Sequence, residues 1–193
     1  MSLVRKQAPN FKANAVHKNQ FVQVDLESYR GKWVVLFFYP MDFTFVCPTE
    51  ITAMSDNYEK FTERGCEVLG MSVDSEFSHN AWINIPRSEG GLGEVKYPLV
   101  SDFTKKISED YGVLLPEGMA LRATFIIDPE GVIQFELSHD LSVGRNVDEI
   151  LRNIDALQFA RKHGEVCPAG WTEGKDTIVP DVDKSKEFFN KIK

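Results

Sequence analysis

The run Trp33-Val34-Val35-Leu36-Phe37-Phe38-Tyr39 is apolar at every position and stops at Pro40. A strand with one wet face alternates apolar and polar residues; a run apolar on both faces belongs at the centre of a sheet covered by helices above and below. It is also far too short to span a bilayer. The next segment fixes the connection. Pro48 suits a first helical position, and Ile51, Met54, Tyr58 and Phe61 recur at steps of three and four until Gly65 supplies a stop. Residues 66–73 then form a second apolar strand, so strand, helix and strand make a βαβ unit with a parallel pair. An α/β fold is predicted.

The remaining elements sort around that unit. Residues 11–16 and 21–26 flank the polar stretch His17-Lys18-Asn19-Gln20, which predicts an N-terminal hairpin. A short helix over 80–84 gives way to a surface loop, 86–98, containing Gly90-Gly91-Leu92-Gly93; it lacks the Lys-Ser/Thr ending of a phosphate loop and reads as flexible. A short strand at 99–100 and a helix over 104–111 follow. Thr124-Phe125-Ile126-Ile127-Asp128 and Val132-Ile133-Gln134-Phe135-Glu136 flank the turn Pro129-Glu130-Gly131, an antiparallel hairpin that makes the sheet mixed. Val147, Ile150, Leu151, Ile154 and Leu157 mark a last long helix ending at His163-Gly164. Residues 1–164 are thus read as one domain and 165–193 as a tail, with a terminal helix over 185–193 whose Phe188 and Phe189 must bury against something.

Charge and cysteine usage narrow the function. A formal charge of −7 lacks the basic face that nucleic acid or an anionic membrane would require. The segment Met1-Ser2-Leu3-Val4-Arg5-Lys6 has no apolar core, so a soluble, unexported, cytoplasmic protein is expected. Cys47, Cys66 and Cys167 are an odd set without close spacing, unlike a secreted disulfide framework. Cys66 faces an apolar strand and reads as structural. His17, His79, His139 and His163 show no ligand spacing and read as solvated or capped, so neither metal nor cofactor is expected.

Cys47 stands apart. It lies between the apolar strand and the amphipathic helix, with Thr44 three residues before it and Pro48 after it. A thiol in a first helical turn meets free backbone N–H groups and the positive end of the helix dipole, which favour the reactive thiolate.

These residues carry a family resemblance. Pro40, Thr44 and Cys47 match the Pro-x-x-x-Thr-x-x-Cys motif of the peroxiredoxins, and Val166-Cys167-Pro168 matches the second cysteine motif of their typical two-cysteine class. Phe43-Thr44-Phe45-Val46-Cys47-Pro48-Thr49-Glu50, the Gly90 to Gly93 loop, Val143-Gly144-Arg145 and Glu165-Val166-Cys167-Pro168-Ala169-Gly170-Trp171 resemble the alkyl hydroperoxide reductase C group, and the resemblance covers nearly the whole chain. It implies a thioredoxin-like mixed sheet flanked by helices, with the N-terminal hairpin as an extension and the tail bearing the second cysteine.

The same resemblance assigns roles. Cys47 would be the peroxidatic nucleophile that reduces hydrogen peroxide and organic hydroperoxides through a sulfenic acid. Cys167 would be the resolving cysteine, forming an intersubunit disulfide after local unfolding. Arg122 and Thr44 would hold the peroxide, Pro40 would shield the sulfur, and Glu50 and Arg145 would orient Arg122. Lowering a thiol pKa from about 8.5 to about 6 raises the thiolate fraction at neutral pH only about 30-fold, so positioning and charge stabilisation must supply most of the rate. Implied partners are a thioredoxin-like protein or a dedicated flavoprotein reductase, and a second copy in a homodimer that assembles as a ring of five dimers. Members with the Gly-Gly-Leu-Gly loop often end in Tyr-Phe; Phe188-Phe189 here keeps the bulk and loses the hydroxyl, so intermediate sensitivity to overoxidation is expected. A general disulfide oxidoreductase is disfavoured because the chain has no Cys-x-x-Cys. An oligomeric holdase chaperone, formed on overoxidation, is the non-enzymatic alternative.

Overall fold

The computed structural model describes residues 2–191. The elements run β1 (Lys12–His17), β2 (Gln20–Asp25), β3 (Trp33–Phe38), α1 (Cys47–Asp56), α2 (Tyr58–Thr62), β4 (Cys66–Ser72), α3 (Glu76–Ile83), β5 (Leu99–Ser101), α4 (Lys106–Asp110), β6 (Arg122–Ile127), β7 (Ile133–His139), α5 (Val147–His163) and α6 (Ser185–Phe189). The strands form one seven-stranded sheet in the order β2-β1-β5-β4-β3-β6-β7. β3 is parallel to β4 and antiparallel to β6, so the sheet is mixed, as the patterns of residues 33–39 and 124–136 predict. Every residue of β3 is buried, which is why its sequence shows no alternation.

Alternation still decides which side chain faces which layer. Val34, Leu36 and Phe38 join Ala123, Phe125 and Ile127 in the cluster closed by Tyr111 and Ile107. On the opposite face Phe37 meets Tyr97 edge-on at 5.8 Å, and the Tyr97 hydroxyl donates to the Ile51 carbonyl of α1 at 2.8 Å. That second face carries the helix that begins at Cys47.

Several boundaries differ from the sequence expectation, each for a local reason. The helix expected to run from Pro48 to Phe61 divides at Asn57, whose side-chain amide donates to the Ala53 carbonyl at 2.9 Å and competes with the ladder. α3 starts at Glu76 rather than residue 80 because the Ser75 hydroxyl caps it, accepting from the Ser78 amide at 3.2 Å. α4 spans only Lys106–Asp110, after Lys105 at φ 64°.

The glycine loop is also not the flexible segment expected. The Gly91 amide donates to Pro86 O at 3.1 Å, Leu92 to Trp82 O at 3.2 Å and Gly93 to Ile85 O at 3.1 Å, while the Trp82 indole donates to Gly90 O at 2.9 Å. Leu92 is fully buried. Gly91 lies so close to the Ile85 backbone that a Cβ there would overlap it, so this glycine serves close packing.

Backbone contacts divide the chain into two units between Arg145 and Asn146. The first holds the sheet and α1 to α4. In the second, α5 is capped by the Asn146 side chain, which accepts from the Asp148 and Glu149 amides, and it ends at Gly164 with φ 70°. Residues of the expected tail pack on it: Trp171 is 2% exposed, lies 5.0 Å from the Phe159 ring, and accepts from Arg152 Nη1 at its carbonyl. α6 holds Phe188 half-buried and Phe189 exposed, so the expectation that both bury is met by neither fully. The last residues of the expected terminal helix, 192 and 193, lie outside those described. No helix among the described residues is long and apolar enough to cross a membrane.

Gly70 of β4 leaves the space that the Phe37 ring fills: a Cβ at Gly70 would stand 2.8 Å from Phe37 Cζ and 2.9 Å from Leu99 Cδ2. Gly70→Ala should therefore destabilise the fold by about 1–3 kcal/mol through overpacking. Urea unfolding measures it, and an unchanged midpoint would contradict the close approach.

Candidate active site

β3 ends at Phe38, and the chain then turns away from the sheet through residues 40–46 into α1. Pro40 is buried at the start of this loop. Phe43 takes φ 56°, an uncommon conformation for a bulky residue, and its ring lies 5.6 Å from that of Trp82. The Thr44 hydroxyl donates to the Met41 carbonyl at 2.9 Å. Cys47 is the first residue of α1 and is 0% exposed. The residue before it, Val46, offers no side-chain cap; its carbonyl accepts from the Thr49 amide at 3.1 Å and the Glu50 amide at 3.3 Å, and Pro48 carries no N–H.

Arg122 enters from the start of β6. Its Nη1 lies 3.1 Å from Cys47 Sγ and 2.6 Å from Glu50 Oε2, and its Nε donates to the Leu141 carbonyl at 2.8 Å. Glu50 stands one helical turn after Cys47, on the same face of α1. Its other oxygen, Oε1, accepts from the Arg145 amide at 3.0 Å and lies 3.1 Å from Arg145 Nη1. That last contact is an ion pair without hydrogen-bond alignment, since Nη1 has no geometrically proper acceptor. The Arg145 Nη2 group donates to the carbonyls of Phe38 and Ala123, which are paired residues of β3 and β6, and its Nε donates to Thr124 Oγ1 at 3.0 Å. The Phe37 ring lies below the guanidinium, 5.1 Å away.

The charges follow from the geometry. Side chains of Arg122, Arg145 and Glu50 are 4%, 2% and 1% exposed, so two cations and one carboxylate share a site nearly free of water. One positive charge is left for an anion at Cys47 Sγ or for charge that develops on a substrate beside it. Burial and the neighbouring Arg122 lower the Arg145 pKa, against the opposing pull of Glu50 and Cys47, to about 10. It remains a cation at neutral pH.

Cys47, Glu50, Arg122 and Arg145 thus converge within the first unit, and Pro40 and Thr44 lie on the loop that leads into Cys47. Cys167 belongs to the second, where its Sγ lies 3.6 Å from the Ala156 carbonyl and burial pushes its thiol pKa up despite Arg152. Cys66 is buried in β4 with its pKa pushed up to about 12 by burial, which suits the inert role expected for it.

One group is not found by sequence reasoning. His79, expected to be solvated or capped, is fully buried and lies 2.8 Å from Asp42 Oδ2 through Nδ1 and 3.2 Å from the Val100 carbonyl through Nε2. An ionised Asp42 and the Val100 carbonyl only accept, which favours a ring that donates from both nitrogens, the imidazolium; the Tyr39 hydroxyl lies 3.4 Å from Nδ1 as well. Asp42 also accepts from the Tyr39 hydroxyl at 2.9 Å and from Ser78 Oγ at 2.8 Å, and its amide donates to Asp74 Oδ2 at 2.8 Å. Asp42 lies inside the Pro40 to Cys47 motif, so this cluster anchors the loop ahead of Cys47. The only sequence signal is an acidic residue in an otherwise apolar loop.

Comparisons with known proteins give the family of the chain. The AhpC/TSA family model matches residues 4–136, and the model for the C-terminal domain of 1-Cys peroxiredoxin matches residues 156–191. Peroxiredoxin-2 of Macaca fascicularis is 59% identical over 189 residues, 97% of this chain and 96% of that one. A protein of Drosophila melanogaster named thioredoxin-dependent peroxide reductase, mitochondrial, is 58% identical over 191 residues, 97% of this chain and 82% of that one. Among solved structures, the reduced 2-Cys peroxiredoxin of Plasmodium vivax superposes with a TM-score of 0.97 at 47% identity, covering 98% of this chain and 100% of the other. The chain belongs to the AhpC/TSA family. Within it, the chain is a peroxiredoxin of the two-cysteine kind, with the thioredoxin-like fold expected from its motifs.

Burial opposes protonation of His79, but the hydrogen bond and charge of Asp42, the Val100 carbonyl and the charge of Asp74 outweigh it and raise the pKa above its ordinary value. The stabilisation it contributes is therefore complete below that ordinary value, about 6.5, and is lost as pH rises through the folded one. The stability difference between wild type and His79→Gln should be largest near pH 6 and shrink towards alkaline pH. Denaturant titrations across that range measure it, and a difference independent of pH would contradict the buried imidazolium.

Proposed function

We propose that Cys47 is the nucleophile of a thiol-dependent peroxidase acting on hydrogen peroxide and small organic hydroperoxides. The observation that carries this is the Arg122 Nη1 group 3.1 Å from a fully buried Cys47 sulfur and held there by Glu50. The thiolate attacks the terminal peroxide oxygen, the O–O bond breaks, and sulfur is oxidised to sulfenic acid. The other oxygen leaves with the electron pair and takes a proton from water, giving water or an alcohol. Arg122 stabilises charge on that leaving oxygen. Thr44, its proton committed to Met41, offers its oxygen as acceptor for the hydroperoxide O–H. Pro40 closes the wall that excludes water, while Glu50 and Arg145 orient Arg122.

Cys167 then condenses with the sulfenic acid, releasing water and forming the disulfide. Because Cys47 is sealed from solvent, the first turn of α1 must open for any other thiol to reach it. In functional terms residues 1–164 carry the peroxide chemistry and residues 165–193 bring the resolving thiol. We assign the two thiols to different subunits of a homodimer that assembles as a ring of five; exposed aromatic rings at Phe21, Phe45, Phe77 and Phe103 support self-association. A thioredoxin-like protein or a dedicated flavoprotein reductase returns the two electrons, in keeping with the name of the Drosophila relative. An odd set of three cysteines without close spacing supports a reducing, cytoplasmic setting, and fractionation distinguishes it from a mitochondrial one.

Cys47→Ser should abolish peroxide consumption. After one equivalent of peroxide, non-reducing electrophoresis should give a disulfide-linked dimer that is absent from both Cys47→Ser and Cys167→Ser; a disulfide within one monomer would overturn the intersubunit assignment. The half-buried Phe188 and exposed Phe189 lack the tyrosine hydroxyl of the common terminal pair, so sulfinic Cys47 should accumulate at excess peroxide to an intermediate extent. Mass spectrometry of the Cys47 peptide measures it, and its absence after sustained turnover would refute the expectation.

A further inference from the structure

Arg122, Thr124 and Ile126 share one face of β6, the face opposite the Ala123, Phe125 and Ile127 cluster. Ile126 fills its place with hydrocarbon alone. Thr124 is 1% exposed, and burying a hydroxyl there costs free energy unless it is hydrogen-bonded. A valine would occupy the same volume without that cost, so packing alone does not account for the oxygen. Its partner is Arg145 Nε, 3.0 Å away.

That bond decides how the Arg145 guanidinium is turned in its own plane. Its Nη2 end is fixed by two backbone carbonyls, Phe38 and Ala123, and its lower face rests on Phe37. A plane held at one corner can still pivot; Thr124 supplies the second fixed point. The remaining corner, Nη1, makes no aligned hydrogen bond and meets Glu50 Oε1 only as a charge at 3.1 Å, so Glu50 does not itself fix the rotation. Glu50 in turn holds the Arg122 nitrogen that touches Cys47 Sγ.

We propose that Thr124 is a positioning residue for peroxide reduction, its hydroxyl setting Arg145, and through Glu50 the placement of Arg122 against the Cys47 sulfur. The proposal rests on the reading of Cys47 and Arg122 as the reacting pair. Thr124 touches neither peroxide nor sulfur; it acts through side chains in series, from Arg145 to Glu50 to Arg122, each in contact with the next. Removing the hydroxyl while keeping the volume should release the guanidinium to turn, and displacement of a charge-stabilising donor by a fraction of an ångström lowers the rate steeply.

The test separates packing from orientation. Thr124→Val keeps the volume and loses the acceptor; Thr124→Ser keeps the acceptor and loses a methyl. Stopped-flow fluorescence gives the second-order rate constant of reduced protein with hydrogen peroxide, alkylation of Cys47 by iodoacetamide against pH gives the thiol's titration, and denaturant unfolding reports the fold. Thr124→Val should lose at least ~10-fold in peroxide rate and shift the alkylation profile to higher pH, while Thr124→Ser keeps the rate and profile even where its stability falls. Thr124→Ala, which also removes the acceptor, should show the same loss and serves if the valine variant does not fold. A wild-type rate in Thr124→Val, or an equal loss in Thr124→Ser, would overturn the positioning role. Cys47→Ser run in the same assay keeps the two ideas apart: peroxide consumption there defeats the peroxidase reading itself, whereas an inactive serine variant beside a fully active Thr124→Val defeats only the role of Thr124.

Discussion

A single carboxylate, Glu50, lies between two guanidinium groups with almost no water to screen them. A buried ion pair is a poor source of net stability, because desolvation offsets most of the attraction. What this one supplies is position. Each Glu50 oxygen faces a different arginine, so the carboxylate joins α1 to the start of β6 and to the loop that ends the first unit. With one carboxylate against two cations, the site is also incomplete in charge until something anionic occupies the space beside Arg122. In the proposed mechanism a thiolate at Cys47 would complete it, and in the transition state so would the oxygen that leaves the peroxide. On that proposal one arrangement of charges serves both the attacking sulfur and the developing charge of the reaction.

The sheet makes this possible because Arg145 uses its ends. Phe38 and Ala123 are the last paired residues of the β3–β6 ladder, and their carbonyls converge on one nitrogen of Arg145. Strand ends normally spend such groups on water or on a turn. Here they fix a guanidinium, and Phe37, seated against Gly70, forms the floor beneath it. The apolar run that specifies the central strand therefore also supplies the platform for the charged site, through its odd-numbered face.

That division marks what a sequence can disclose. Strand and helix existence is legible because residues 33–39 and the Ile51, Met54, Phe61 series carry local periodicity, and Cys47, Thr44, Pro40 and Cys167 are legible as motifs. The Asn57 break is not, because it depends on a side-chain amide reaching back one turn. The contacts that build the site join residues 72, 75 and 95 positions apart, and no local pattern encodes such pairs. Thr124 is hidden for a further reason: threonine favours strands anyway, so a residue that orients a neighbour looks like ordinary β propensity. The burial and charge of His79 escape a local reading for the same cause as the site contacts, since its partner Asp42 lies 37 positions away.

Cys47 consequently sits between two buried ionic anchors, Asp42–His79 five residues before it and the Glu50 cluster three residues after it. In the proposed cycle this segment must be rigid while peroxide reacts and must open when the resolving thiol arrives. Hydrophobic anchors would meet the first need and resist the second, because every square ångström exposed on opening costs about 25 cal/mol with nothing returned. Ionic anchors behave differently. Charges released from a dry site regain their hydration, which offsets much of the attraction they lose. Closed, the pairs define geometry to within a hydrogen bond's tolerance; opened, they are solvated rather than stranded.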